Sequence, residues 1–196
     1  MREAGIGRVL VASLHQGIAD LIPTRLEFYE SWLNAKGMRD GTIGMAPFAA
    51  VLSFLRQEGE PYDAIMARAG ALAAEWTVES MVPLHRSLIR SAPAWLRGRL
   101  VLGLVRRLIR KSYQTIRASS RLRRGTATVS VRGSIFCTVR EPVPQPLCGF
   151  YTAAARRLFT LFNLDANAEV ASCRGTGGKN CVLTMGIRPR KAGVAG

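Results

Sequence analysis

The sequence predicts an α+β fold in which helices pack on a four-stranded antiparallel sheet, with N-terminal helices leading into a ββαββ unit. Three observations carry this expectation. Up to about Ile116 the apolar residues recur every three or four positions. From Arg124 the period changes to two. Beyond the proline-rich segment 141–146 one more helical stretch is followed by two strand-like stretches joined by a glycine-rich loop. A chain of 196 residues with 48% hydrophobic residues is long enough to bury one core, so a single domain is expected. It divides into an N-terminal helical extension (1–40), a helical part (41–123), a ββαββ part (124–187) and a tail (188–196).

The elements follow in order. Residues 7–35 read as two helices broken near Ile22-Pro23, closed by a glycine- and charge-rich turn at 36–41. Pro47 opens a helix over 48–57, and Glu58-Gly59 ends it. After Pro61, Ile65, Ala69, Leu72 and Trp76 fall close to helical spacing, predicting a helix over 62–79. Over 94–116 two arcs separate: Val101, Leu104, Val105, Leu108, Ile109, Tyr113 and Ile116 on one side, and Arg99, Arg106, Arg107, Arg110, Lys111 and the following Arg117 on the other. Thr126, Thr128 and Ser130 alternate with Ala127, Val129 and Val131, which predicts a half-buried strand turning at Gly133 into a second strand over 134–139. Three prolines in 141–146 take the chain out of the sheet. A helix over 147–162 and strands over 166–173 and 181–187 complete the unit, and the basic, glycine-rich tail from residue 188 reads as disordered.

Composition narrows the function. The longest uncharged apolar run, residues 45–55, is far shorter than the roughly 20 residues that span a bilayer, and no cleavage pattern follows the short apolar stretch near the N-terminus. A soluble, cytoplasmic protein is the expectation, and in a reducing compartment four cysteines are reduced thiols or metal ligands rather than a disulfide framework. Net charge is +15, and its distribution is uneven. Fourteen of the 28 Arg and Lys residues lie between Ser80 and Arg140, a stretch with no acid. Such a field attracts anionic lipid, carboxylated ligands or nucleic acid. Arg106, Arg107, Arg110 and Lys111 are the candidates for an anion or membrane surface, although a solvated helix face explains the same pattern. Few aromatic residues accompany them, which disfavours single-stranded nucleic acid.

The loop Cys173-Arg174-Gly175-Thr176-Gly177-Gly178-Lys179-Asn180-Cys181 tempts a phosphate-binding reading, but neither a GxxxxGK[ST] motif nor a following helix is present. As the turn of a hairpin it sets Cys173 and Cys181 opposite one another, with Cβ atoms about 5 Å apart. Two thiols at that separation can share a metal, and Cys148, at the start of a helix, is the best third ligand. Cys137 or Glu169 would supply the fourth, Glu169 only across a bulge. Packed, uncharged thiols and a reversible Cys173–Cys181 disulfide remain the competing readings. No catalytic constellation accompanies them: His15 and His85 each sit in an apolar helical pattern, and neither Glu27 with Glu30 nor Glu58 with Glu60 has a partner for acid–base work.

The segments SIFC, PLCGFYTAAARRLF and AEVASCRGTGGKNCVLTM, with Cys148 before a helix and Cys173 and Cys181 bracketing a glycine loop, resemble the vinyl-reductase-type domain. That family is related to TRAPP transport subunits and to bacterial hydrocarbon-binding and phenol-sensing domains. The likeness covers about residues 124–187, with GTIGMAPFAAVLSFL adding to it. It implies an apolar cavity for a small hydrophobic ligand, often in a dimer, and a zinc ion held by cysteines and one acid. Carried over, Cys148, Cys173, Cys181 and Glu169 would hold zinc, with Cys137 as the alternative fourth ligand. Phe48, Leu52, Tyr151 and Phe159, on the two most apolar helices, would line the cavity. The leading expectation is therefore a sensing or carrier domain rather than an enzyme. The alternatives are an accessory protein or reductase for vinyl tetrapyrroles in bacteriochlorophyll synthesis, with a peripheral membrane contact, and a basic membrane-surface or nucleic-acid-binding protein.

Overall fold

The structure, a computed structural model, describes residues 5–33 and 43–190. Among them are seven α-helices and one four-stranded antiparallel sheet, so the fold is α+β. The helices are α1 (Arg8–Leu21), α2 (Leu26–Leu33), α3 (Met45–Gln57), α4 (Pro61–Glu79), α5 (Pro83–Ser91), α6 (Ala94–Lys111) and α7 (Gly149–Leu161). The strands are β1 (Arg117–Arg123), β2 (Thr126–Arg132), β3 (Leu164–Ser172) and β4 (Cys181–Pro189), in the order β1-β2-β4-β3. The turn expected at 36–41 lies outside the described residues.

Local chemistry explains most boundaries. In α1, Leu10, Val11, Leu14, Gly17 and Ile18 are buried, the i, i+1, i+4, i+7, i+8 pattern of a helix with one apolar stripe. It stops before Pro23, which starts a short 3-10 turn, Pro23–Arg25. Proline stands at the first helical position of α4 and α5, where its missing N–H costs nothing. α4 runs through the centre and packs between α1 and α7, and α7 packs in turn on β3. The α4–α7 approach is close because Gly70 has no side chain: a Cβ there would collide with the Phe150 carbonyl and come within 2.9 Å of the Ala153 Cβ.

Three expectations need correction. The helix that begins at Ala94 ends at Lys111, not Ile116. The Gly7 N–H donates to the Ser112 carbonyl at 2.7 Å and Ile6 forms an isolated antiparallel bridge with Tyr113, which draws the chain off the helix axis. The chain then enters β1, an edge strand with exposed Arg117, Arg121 and Arg123 and with Ala118, Ser120 and Leu122 partly covered, of which only two are apolar, so apolar alternation is too weak to reveal it. Its hairpin partner is β2, joined through Arg124-Gly125, both at positive φ as a tight two-residue turn requires. Residues 134–139 are not a strand. Ile135, Phe136 and Cys137 are all buried, which a one-sided strand cannot do, and they form a 3-10 turn. Lastly, Arg188 and Pro189 belong to β4 rather than to a tail, and residues beyond 190 lie outside the described ones.

The inner face of the sheet carries Ala127, Val129, Val131, Ala168, Leu183 and Met185, all buried. β2 and β4 pair with Val131 opposite Cys181. β3 and β4 slip register between Val170 and Ser172, a bulge that ends just before Cys173.

Candidate metal centre and ligand cavity

Four elements end at one point under the sheet. Cys137 closes the 3-10 turn after β2, Cys148 is the N-cap residue of α7, Cys173 follows β3, and Cys181 begins β4. All four side chains are buried. The Cys137 Sγ lies 3.1 Å from Cys148, 3.4 Å from Cys173 and 3.3 Å from Cys181, and Cys148 lies 3.5 Å from Cys173. All four sulfurs fall within 4.8 Å of one another. These separations are far beyond a disulfide bond of about 2.05 Å, and the cysteines are free. They match a tetrahedron instead, since metal–thiolate bonds of about 2.3 Å give edges of about 3.8 Å.

The sulfurs shift one another's acidity in opposite directions. Hydrogen bonding from Cys148, helped by backbone hydrogen bonds at Leu147 and Gly175, lowers Cys173 to about 6. Hydrogen bonding from Cys137 and then Cys148, with the Arg174 N–H 3.5 Å from its sulfur, lowers Cys181 to about 3. Cys137 is pushed up to about 12: its contact with Cys148 acts downward, but donation to Cys181 and burial outweigh it. Hydrogen bonds to the other three sulfurs and burial push Cys148 up as well. Within one buried cluster two thiols are thus held toward the thiolate and two toward the protonated form, as mutual hydrogen bonding among close sulfurs requires.

Glu169 is not part of this cluster. Four residues before Cys173 on β3, it is exposed, accepts a hydrogen bond from Asn167 at 2.8 Å and pairs with Thr184 across the sheet. The bulge in β3 falls after Glu169, so it does not turn that carboxylate inward. Cys137 takes the fourth place, carried by the 3-10 turn that replaces the expected strand.

The expected cavity lining also changes. Phe48, Leu52, Tyr151 and Phe159 are completely buried core residues. Tyr151 is fixed edge-on against Phe136 and by a 3.2 Å hydrogen bond with Ser134. None of the four lines the cavity of about 540 Å³ that opens between α1, α4, α5 and α6. Its apolar walls come from Leu10, Ala73, Met81, Leu104, Leu108 and Phe150, and its charged lining from Arg8, Arg107 and Lys111, with His85 beside them. No acid among the described residues lines it. Of the four basic candidates on α6, Arg107 and Lys111 face this cavity, whereas Arg106 and Arg110 are exposed and do not line it. Phe150 stacks on Phe136 and lies two residues after Cys148, so the first turn of α7 touches both the thiol cluster and the cavity.

Sequence reasoning missed the cavity because its walls come from segments far apart in the chain, and missed α5 because that helix buries none of its residues. His85 was legible as a residue but not as part of a lining.

Neither a family model nor a curated protein matches the sequence. Solved structures do share the fold. An H-NOX protein from S. oneidensis in the Fe(II)NO ligation state aligns with a TM-score of 0.57 and 11% identity, covering 93% of this chain and 99% of that one. A point mutant of the Fe(II) unliganded H-NOX protein from K. algicida aligns with a TM-score of 0.56 and 12% identity, covering 93% and 97%. A triple mutant of the S. oneidensis protein in the Fe(II) ligation state gives 0.55 and 10%, covering 95% and 98%. The vinyl-reductase-type resemblance is corrected accordingly, because the fold neighbours are H-NOX proteins. The expectation of zinc as cofactor is corrected with it: the metal named for these neighbours is iron. No helix of the described residues is long and apolar enough to cross a membrane. The chain has the fold of the H-NOX proteins.

Proposed function

We propose that this chain is a sensing or carrier domain that binds one small apolar anion in the cavity between α1, α4, α5 and α6. The observation that carries the reading is the cavity's lining, which among the described residues has apolar walls, cations and no acid. About 540 Å³ is within the range of small-molecule sites. Apolar walls favour an aliphatic or aromatic body, and Arg107 and Lys111 favour a carboxylate or phosphate on it. Mass spectrometry of a solvent extract of the purified protein, beside titration with a fluorescent fatty acid, tests this. Co-extraction of an apolar acid or saturable binding at one site per chain supports it, and neither would refute it.

The four cysteines, on this reading, hold one thiophilic metal ion that fixes the start of α7 against the sheet. A divalent ion would replace the two remaining thiol protons and leave the charge of the cluster unchanged. Elemental analysis should give about one metal per chain, lost in Cys137→Ser and retained in Glu169→Gln. Retention in Cys137→Ser, or loss in Glu169→Gln, would contradict the assignment.

A second reading of the cavity is favoured by His85, the one histidine on its lining. The donor set fits a haem: an imidazole for the iron, and Arg107 and Lys111 for carboxylates. His85 would hold the iron, and the bound group would supply the chemistry for taking up a diatomic gas. A Soret band on haem titration, lost in His85→Ala, is the expected result. Absence of a band removes this reading and leaves the apolar anion in place.

A further inference from the structure

The helix that the sequence pattern hid has an unusual surface. α5 buries none of its nine residues, and two of its leucines, Leu84 and Leu88, are 66% and 57% exposed. At i and i+4 they share one face of the helix. Across the corner at residues 91–93, α6 opens with Trp95, 65% exposed, under the Arg99 guanidinium at 5.8 Å from its ring. Arg99, Arg106 and Arg110 are exposed at seven- and four-residue steps, which continues the Trp95 face along α6. The whole stretch from Ser80 to Arg140 contains no acidic residue.

A solvated helix face has no use for two leucines and a tryptophan at this exposure, and a nucleic-acid surface has no use for the leucines. Apolar side chains set among arginines, with no acid to repel lipid phosphates, are the composition of a helix lying in a membrane interface. We propose that α5 and the start of α6 dock on an anionic lipid bilayer, with Leu84, Leu88 and Trp95 entering the headgroup boundary and the arginines meeting phosphates. The charge complementarity identifies the occupant, since a surface of this sign selects anionic over zwitterionic lipid. His85 of α5 and Val82 just before it line the cavity, so the docked face lies beside the cavity mouth. The inference does not depend on what the cavity binds.

The test is co-sedimentation of the full chain with vesicles of phosphatidylglycerol and phosphatidylcholine, compared with phosphatidylcholine alone, and fluorescence with brominated lipid. The expected result is binding to the anionic vesicles only, with quenching that is lost in Trp95→Phe. Leu84→Asp with Leu88→Asp should weaken binding by more than about tenfold. Both leucines are exposed and bury nothing in the core, so far-UV circular dichroism and the Tm should be unchanged in the double variant and report that it is folded. Equal vesicle binding by a folded double variant, quenching unaffected by Trp95→Phe, or salt-sensitive retention on duplex DNA with no vesicle binding would each overturn the proposal.

Discussion

Replacing Gly70 by alanine tests the packing that joins the two candidate sites. Gly70 lies in α4 against the first turn of α7, where an added Cβ meets the Phe150 carbonyl and stands 2.9 Å from the Ala153 Cβ, below ordinary contact. Overpacking of this kind costs about 1–3 kcal/mol. The upper part of that range applies, because the obstacle is a backbone carbonyl that cannot rotate aside. Alanine recovers about 1 kcal/mol through its better helix propensity. The net loss is therefore about 2 kcal/mol, which lowers Tm by about 4–8 °C for a chain of this length. Gly103→Ala is the matched control: it lies inside α6, and its Cβ would meet nothing within 4 Å. There only the propensity gain remains, about 1 kcal/mol, and Tm should rise by about 2–4 °C. Thermal unfolding followed by circular dichroism reads both. A Gly70→Ala protein as stable as the parent would refute the close α4–α7 approach, and with it the argument that α7 links the thiol cluster to the cavity.

Metal affinity should fall with acid, because Cys137 and Cys148 hold protons that a metal must displace. With two protons released and Cys173, at about 6, partly protonated as well, affinity drops by about two hundredfold from pH 7 to pH 6, as competition with a chromophoric chelator would measure. On α1, hydrogen bonding from Gln16 and the ion pair with Arg68, 2.6 Å away, lower the Asp20 pKa. A carboxyl whose folded pKa is depressed stabilises above its unfolded value and loses that contribution as pH falls through the folded one. Asp20→Asn should therefore flatten the dependence of Tm on pH below about 4, where the unfolded carboxyl titrates.

What the sequence disclosed depended on how local the signal was. The stripe of α1 and the alternation of β2 are written in consecutive residues, and the helix and strand periods reveal them directly. Cys148, Cys173 and Cys181 were legible as a group because a hairpin and a helix start are local features. Cys137 was only an alternative there, since its place depends on a 3-10 turn where an alternating strand looked natural. Glu169 attracted attention by chemistry and nearness in sequence, but the pleat points it to the outer face. β1 was hidden by its arginines and α5 by its lack of any buried residue. The cavity had no signature at all, because residues as far apart as Leu10 and Phe150 meet there only after folding.

Binding of a fluorescent fatty acid to the parent protein and to two cavity variants tests the central claim most directly. Leu104→Trp would fill the space between the walls, and Lys111→Glu would reverse a charge on its lining. The account predicts saturable binding at one site per chain, abolished by the first variant and weakened by the second, with both variants unfolding near the parent's Tm. Saturable binding that neither variant alters would contradict it, as would the absence of any binding.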